Sequence, residues 1–129
     1  MENNISNYNW KGKTILVVED EHSNFYLAQT FLSKGGATIV RAMNGEEAVV
    51  YCRKNVDLDM VLMDIKMPEM NGYEATKIIK NERPRLPVIA LTAFALDGDR
   101  EKSLLAGCDD YMAKPIDQAK LLDMVDRYI

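Results

Sequence analysis

Three things are scarce in this chain of 129 residues. Cysteine occurs only twice, as Cys52 and Cys108, with neither the density of a disulfide scaffold nor the CxxC spacing of a metal or redox site. Both are expected as buried apolar thiols. Long apolar runs are missing: the longest nearly unbroken stretch, Val88 to Leu96, is interrupted by Thr92 and falls far short of the roughly 18 residues a membrane helix needs. Clustered base is missing too. Sixteen Lys and Arg against twenty Asp and Glu give a net charge of −4, and no Lys/Arg cluster is dense enough to grip a phosphodiester backbone, so no direct nucleic-acid binding is expected. Met1 to Gly12 carries no basic region followed by an apolar one, which argues against a secretory signal and makes the cytoplasm the expected location.

What is present is the composition of one globular domain, 47% hydrophobic and 28% charged. Residues 1–12 have no sustained helical or strand period and are expected to form a flexible lead-in, with Trp10 packing against the domain edge; residues 13–129 form the domain. Thr14 to Val18 is a β-branched apolar run ending abruptly in acids, the pattern of a strand buried on both faces. From Ser23 on, Phe25, Ala28, Phe31 and Leu32 share one helical face, which Gly35 and Gly36 stop. The unit then repeats. A strand over Ala37 to Arg41 precedes a helix capped by Asn44 with Glu47, and a strand over Met60 to Met63 precedes a loop with Pro68 and Gly72 and a helix through Ile78 and Ile79. A strand over Pro87 to Leu91 precedes a helix from about Asp97 to Ala106 that ends at Gly107. A last strand, Asp109 to Ala113, precedes a helix capped by Asp117 with Leu121, Leu122, Val125, Tyr128 and Ile129 as its stripe. Strict alternation of buried strands and amphipathic helices predicts an α/β fold, a doubly wound parallel sheet of five strands with right-handed crossovers.

In open parallel sheets the reactive crevice lies beyond the carboxyl ends of the strands. The first strand ends in Glu19 and Asp20, the third in Asp64 and the fourth in Thr92, while the fifth runs through Tyr111 to Lys114 and Pro115. Two carboxylates about 4 Å apart repel by roughly 4 kcal/mol at an effective dielectric near 20, so three that converge call for a cation. Magnesium suits such a site because it takes one or two carboxylates, keeps several waters and leaves room for a phosphoryl oxygen; manganese is an alternative. Asp64 can then act as a nucleophile toward phosphorus and form an acyl phosphate, with Lys114 and Thr92 supplying charge and a hydroxyl. His22, the single histidine, is expected as an exposed residue with no part in transfer. Met60 and Met63 fall within a strand pattern and are expected in the core.

Four segments carry a resemblance: Val17-Val18-Glu19-Asp20, Met63-Asp64-Ile65-Lys66-Met67-Pro68-Glu69-Met70-Asn71-Gly72, Leu91-Thr92-Ala93 and Tyr111-Met112-Ala113-Lys114-Pro115. In order and spacing they resemble the receiver domain of two-component response regulators, over roughly residues 13–129. The resemblance implies a flavodoxin-like receiver fold with sheet order 2-1-3-4-5, which sets Asp20 and Asp64 side by side at the switch point. It also implies that Asp64 is the phosphoacceptor, that Glu19, Asp20 and Asp64 hold magnesium with the Lys66 carbonyl, and that Lys114 and Thr92 bind the phosphoryl group. Tyr111 takes the place of the family's switch aromatic, responding to Thr92, and the Lys114–Pro115 bond is expected to be cis. Lys66 and Phe94 stand at the two positions that tune phosphoryl lifetime in the family. Neither can accept a proton from an attacking water, so slow hydrolysis is expected.

Within the family, Met63-Asp64-Ile65-Lys66-Met67-Pro68 followed by Tyr73-Glu74-Ala75-Thr76, and Ala106-Gly107-Cys108-Asp109-Asp110-Tyr111, are most similar to receivers attached to hybrid histidine kinases. That similarity implies a histidine kinase or histidine-phosphotransfer protein as phosphoryl donor, and leaves phosphorylation-linked self-association open. Such a chain catalyses only its own phosphorylation and dephosphorylation. A magnesium phosphatase would carry a second Asp where Lys66 stands, and a cofactor-binding domain would not place Glu19-Asp20-Glu21 where a phosphate must sit. The remaining alternative is a receiver-like interaction module that is never phosphorylated.

Overall fold

The computed structural model describes residues 8–66, 71–92 and 99–129. Five strands, β1 (Thr14–Val18), β2 (Thr38–Ala42), β3 (Met60–Asp64), β4 (Val88–Thr92) and β5 (Asp110–Ala113), form one parallel sheet in the order 2-1-3-4-5. Between and after them run α1 (His22–Leu32), α2 (Gly45–Lys54), α3 (Gly72–Glu82), α4 (Asp99–Ala106) and α5 (Gln118–Tyr128). The predicted architecture is the observed one. No described helix is long and apolar enough to cross a membrane.

Alternation along each strand divides the core between the two faces of the sheet. Leu16, Val18, Val61, Met63, Val88 and Ala90 join Ala48, Cys52, Ala75 and Ile79 of α2 and α3. Ile15, Val17, Met60, Leu62, Ile89 and Leu91 join Ala28 and Leu32 of α1 and Leu121, Leu122 and Val125 of α5. Burying each such aliphatic side chain stabilises by about 1.5–3 kcal/mol, which explains why β3 and β4 carry no exposed position. The two cysteines are free and buried, and burial pushes each thiol up to about 11.

Local chemistry sets the helix starts. The Asn44 side chain accepts the Glu47 N–H at 2.8 Å, and the Glu47 carboxylate accepts the Met43 N–H at 2.7 Å. Asn71 and Glu74 form a reciprocal capping box at α3, and Asp117 accepts the Lys120 N–H at α5. Gly72, expected in the preceding loop, is instead the first residue of α3. Asp97 of the expected fourth helix lies outside the described residues.

The segment expected as a lead-in is described from Tyr8 onward. Trp10 is 1% exposed, deep in the α1/α5 side of the core. Its amide donates to Gly35 O at 2.7 Å, and its indole N–H donates to Asp126 on α5 at 2.9 Å. The ring lies flat on Gly35, so the sequence Gly35-Gly36 does two jobs: Gly36 supplies the left-handed turn at φ +91°, and Gly35 supplies the absence of a side chain. A composition rich in Asn and Ser hid one large apolar anchor.

A β-carbon at Gly35 would land inside the Trp10 ring. Gly35→Ala is therefore expected to cost about 1–3 kcal/mol of stability through overpacking, lowering the urea midpoint and red-shifting the emission of the sole tryptophan. An unchanged midpoint together with unchanged emission would show that the ring does not occupy this seat.

Candidate functional site

The parallel register brings the carboxyl ends of β1, β3, β4 and β5 to one edge of the sheet, and the predicted residues gather there. Glu19 follows β1 directly and is 2% exposed, Asp64 closes β3 at 4%, and Asp20 alone of the acidic trio is exposed. Carboxylate oxygens from Glu19, Asp20 and Asp64 all lie within 4.8 Å of one another. Lys114, just past β5, reaches across the edge: its Nζ is 3.0 Å from Glu19 Oε1 and 3.3 Å from Asp64 Oδ1. The peptide between Lys114 and Pro115 is cis, as expected.

Electrostatics follow from this crowding. Burial, then the neighbouring Glu19 charge, push the Asp64 carboxyl up from 3.8 to about 7 against the opposing pull of Lys114. Burial also works against the charge on Lys114, but its bond to Glu19 and the Asp64 charge outweigh that, and its ammonium is held above the ordinary lysine value. The backbone turns toward the same point. The Lys66 amide donates to Asp64 Oδ1 at 3.2 Å, and the Glu21 amide donates to Glu19 Oε2 at 3.2 Å.

Thr92 closes β4, 2% exposed, and its carbonyl accepts the Lys114 N–H at 2.7 Å. Tyr111 lies on β5 opposite Ala90, half-buried against the α2/α3 side of the core. Phe94 lies outside the described residues, as do Met67 to Met70 and Ala93. Gly72 supports the site from below: its N–H donates to Ile65 O at 3.0 Å, and a β-carbon there would stand 2.5 Å from Asp64 O. The first turn of α3 thus rests on the backbone that carries Asp64.

Two neighbours escaped the sequence pattern. Arg41, the lone charge in the apolar run of β2, donates from Nε to the Glu19 carbonyl at 3.1 Å. His22 is exposed as expected, yet it is engaged: its Nδ1 is 3.0 Å from Arg41 Nη1. A charge inside a strand of otherwise uncharged residues is the one sequence signal by which Arg41 could have been found.

The donor set is three hard carboxylate oxygens with no sulfur or imidazole among them, and its charge exceeds what one lysine offsets, so the cluster fits a divalent cation. A receiver domain of the sensor histidine kinase PA1611 from Pseudomonas aeruginosa has been solved with a magnesium ion coordinated in its active site cleft. It is 39% identical to this chain, with a TM-score of 0.84 over 91% of this chain and 97% of that one. The receiver domain of the Saccharomyces cerevisiae response regulator Ssk1, solved with the histidine phosphotransfer protein Ypd1, is 29% identical with a TM-score of 0.84, covering 92% and 90% of the two chains. Among curated proteins, the polar-differentiation response regulator DivK of Brucella anthropi is 37% identical over 119 residues, 91% of this chain and 96% of DivK. Residues 15–126 match the response regulator receiver domain. With an acidic pocket at the switch point of a 2-1-3-4-5 sheet, this chain belongs to the response regulator receiver domain family.

Proposed function

We propose that the chain is a phosphorylation-driven switch in which Asp64 takes a phosphoryl group from a phosphohistidine of a histidine kinase or histidine-phosphotransfer protein. One observation carries the reading: Asp64 is a buried carboxyl packed between the Glu19 carboxylate and the Lys114 ammonium, within a trio of acids suited to a divalent cation. An Asp64 oxygen attacks phosphorus, the P–N bond to the donor imidazole breaks as the P–O bond forms, and the departing imidazole keeps the electron pair. Glu19, Asp20, Asp64 and the Lys66 carbonyl are the groups that would hold magnesium, with manganese as the alternative. The bound ion would supply positive charge that keeps Asp64 ionised at neutral pH and offsets that of the phosphoryl group.

Lys114 leaves Asp64 Oδ1 to pair with a phosphoryl oxygen, and the Thr92 hydroxyl donates to another. Tyr111, on the strand that ends at Lys114, turns with Thr92 and alters the surface a partner reads. Lys66 and Phe94 offer no base to an attacking water, so the acyl phosphate persists. We place the chain in the cytoplasm, where such donors present their phosphohistidines, and take residues 13–129 as the receiver domain with residues 1–12 preceding it. Self-association on phosphorylation belongs to the same reading.

Two experiments test it. Incubation with a small phosphoryl donor such as acetyl phosphate and Mg2+ is expected to add one phosphate by intact mass, with none added to Asp64→Ala or without Mg2+. The adduct should outlast minutes in buffer with Mg2+. Loss within seconds would refute the assigned roles of Lys66 and Phe94, and no adduct from any donor, phosphohistidine included, would leave a constitutive interaction module.

The second test uses pH. The folded Asp64 carboxyl holds its proton to about pH 7 and the unfolded one only to about 3.8, so cation-free stability falls as pH rises between those values. Asp64→Asn removes that dependence. Its melting temperature is expected to exceed the wild type's by at least about 3 °C at pH 8, the equivalent of roughly 1 kcal/mol in a domain this size, with a smaller gain at about pH 5. Added Mg2+ should raise the wild type and not the variant. A gap that stays constant across pH would rule out Asp64 as the titrating group.

A further inference from the structure

We propose that Arg41 is a positioning residue for the cation pocket, fixing the peptide that joins Glu19 to Asp20; the inference rests on the reading of that pocket given above. The end of β2 clasps both polar groups of the Glu19 backbone. Ala42 O accepts its N–H at 3.0 Å, and Arg41 Nε donates to its C=O at 3.1 Å. The guanidinium is itself held: its Cζ lies 4.7 Å from the centroid of the Phe25 ring, and Nη1 meets His22 Nδ1 at 3.0 Å. Arg41 Nη2 is buried with no hydrogen-bond partner among the described residues. An arginine free to swing into water would satisfy that nitrogen, so the side chain keeps this pose although both N–H groups of Nη2 go unmet.

Asp20 is the member of the trio that needs such help. Glu19 and Asp64 are buried and share Lys114, whereas Asp20 is exposed and no described residue bonds its carboxylate. Its direction depends on its backbone, and the carbonyl Arg41 grips belongs to the Glu19–Asp20 peptide. A guanidinium near a cation site opposes binding by Coulomb repulsion, so a purely electrostatic Arg41 would tighten the site when removed. A positioning Arg41 loosens it.

The test is calorimetric titration of the full chain with Mg2+ at neutral pH, without a phosphoryl donor, alongside urea midpoints. Arg41→Met is expected to weaken Mg2+ binding about tenfold, the low end for outer partners of metal ligands. Arg41→Lys, which keeps the charge but cannot place an Nε–H on the carbonyl, should weaken it similarly. The half-saturating Mg2+ for phosphorylation should rise by the same factor. Ile39→Val, a truncation on the same strand, controls for lost stability and should leave Mg2+ affinity unchanged. Should Arg41→Met fail to fold, Phe25→Leu removes the shelf beneath the guanidinium and should weaken binding in the same direction. Equal or tighter binding in a folded Arg41→Met, or full rescue by Arg41→Lys, overturns the proposal. A wild type that binds no Mg2+ overturns the reading of the pocket and the proposal with it.

Discussion

The repulsion between Glu19 and Asp64 is the constraint around which the carboxyl edge of the sheet is arranged. Both groups are buried, and at about 4–5 Å two such charges oppose each other by roughly 3–4 kcal/mol at an effective dielectric near 20. Lys114 answers both at once, from the end of a strand on the far side of β4. One ammonium against three carboxylates leaves two negative charges, or one while Asp64 keeps its proton. The deficit matches a dication in sign and size, and it exists only because the fold refuses to let the acids separate.

That refusal comes from the core. Five short strands in parallel register end at nearly the same level, so residues that follow them are delivered to one edge without any loop having to carry them there. Each strand feeds both hydrophobic layers, which leaves the sheet little freedom to slip: a one-residue shift would send Val17 and Leu62 to the wrong side. Gly72 extends the same rigidity to α3, whose first turn lies against the Asp64 carbonyl. The phosphoacceptor candidate thus stands on packed backbone, and of the acidic trio only Asp20 is exposed.

Most of this was legible in the sequence because buried parallel strands and amphipathic helices leave different periodicities, and because acids placed directly after apolar runs stand out. Glu19, Asp64 and Lys114 were found by asking only what ends each strand. Trp10 was placed at the edge because a single aromatic among Asn and Ser gives no period, and its seat is created by Gly35, which looked like a helix stop alone. Arg41 was missed for a related reason. Its partner is a backbone carbonyl, and backbone acceptors leave no mark in a sequence. Gly72 shows the same limit in miniature, since its close approach to β3 is a fact of three-dimensional packing rather than of turn chemistry.

The seat of Trp10 also determines what light can report from this molecule. The indole packs beside the amino end of β1, whereas the acidic pocket opens past its carboxyl end; five residues at about 3.3 Å each separate them by roughly 16 Å. An ion or phosphate in the pocket is therefore too far to quench the ring by contact. The chain carries its own spectator fluorophore, silent to events confined to the pocket and responsive when α5 or the end of α1 shifts against the sheet.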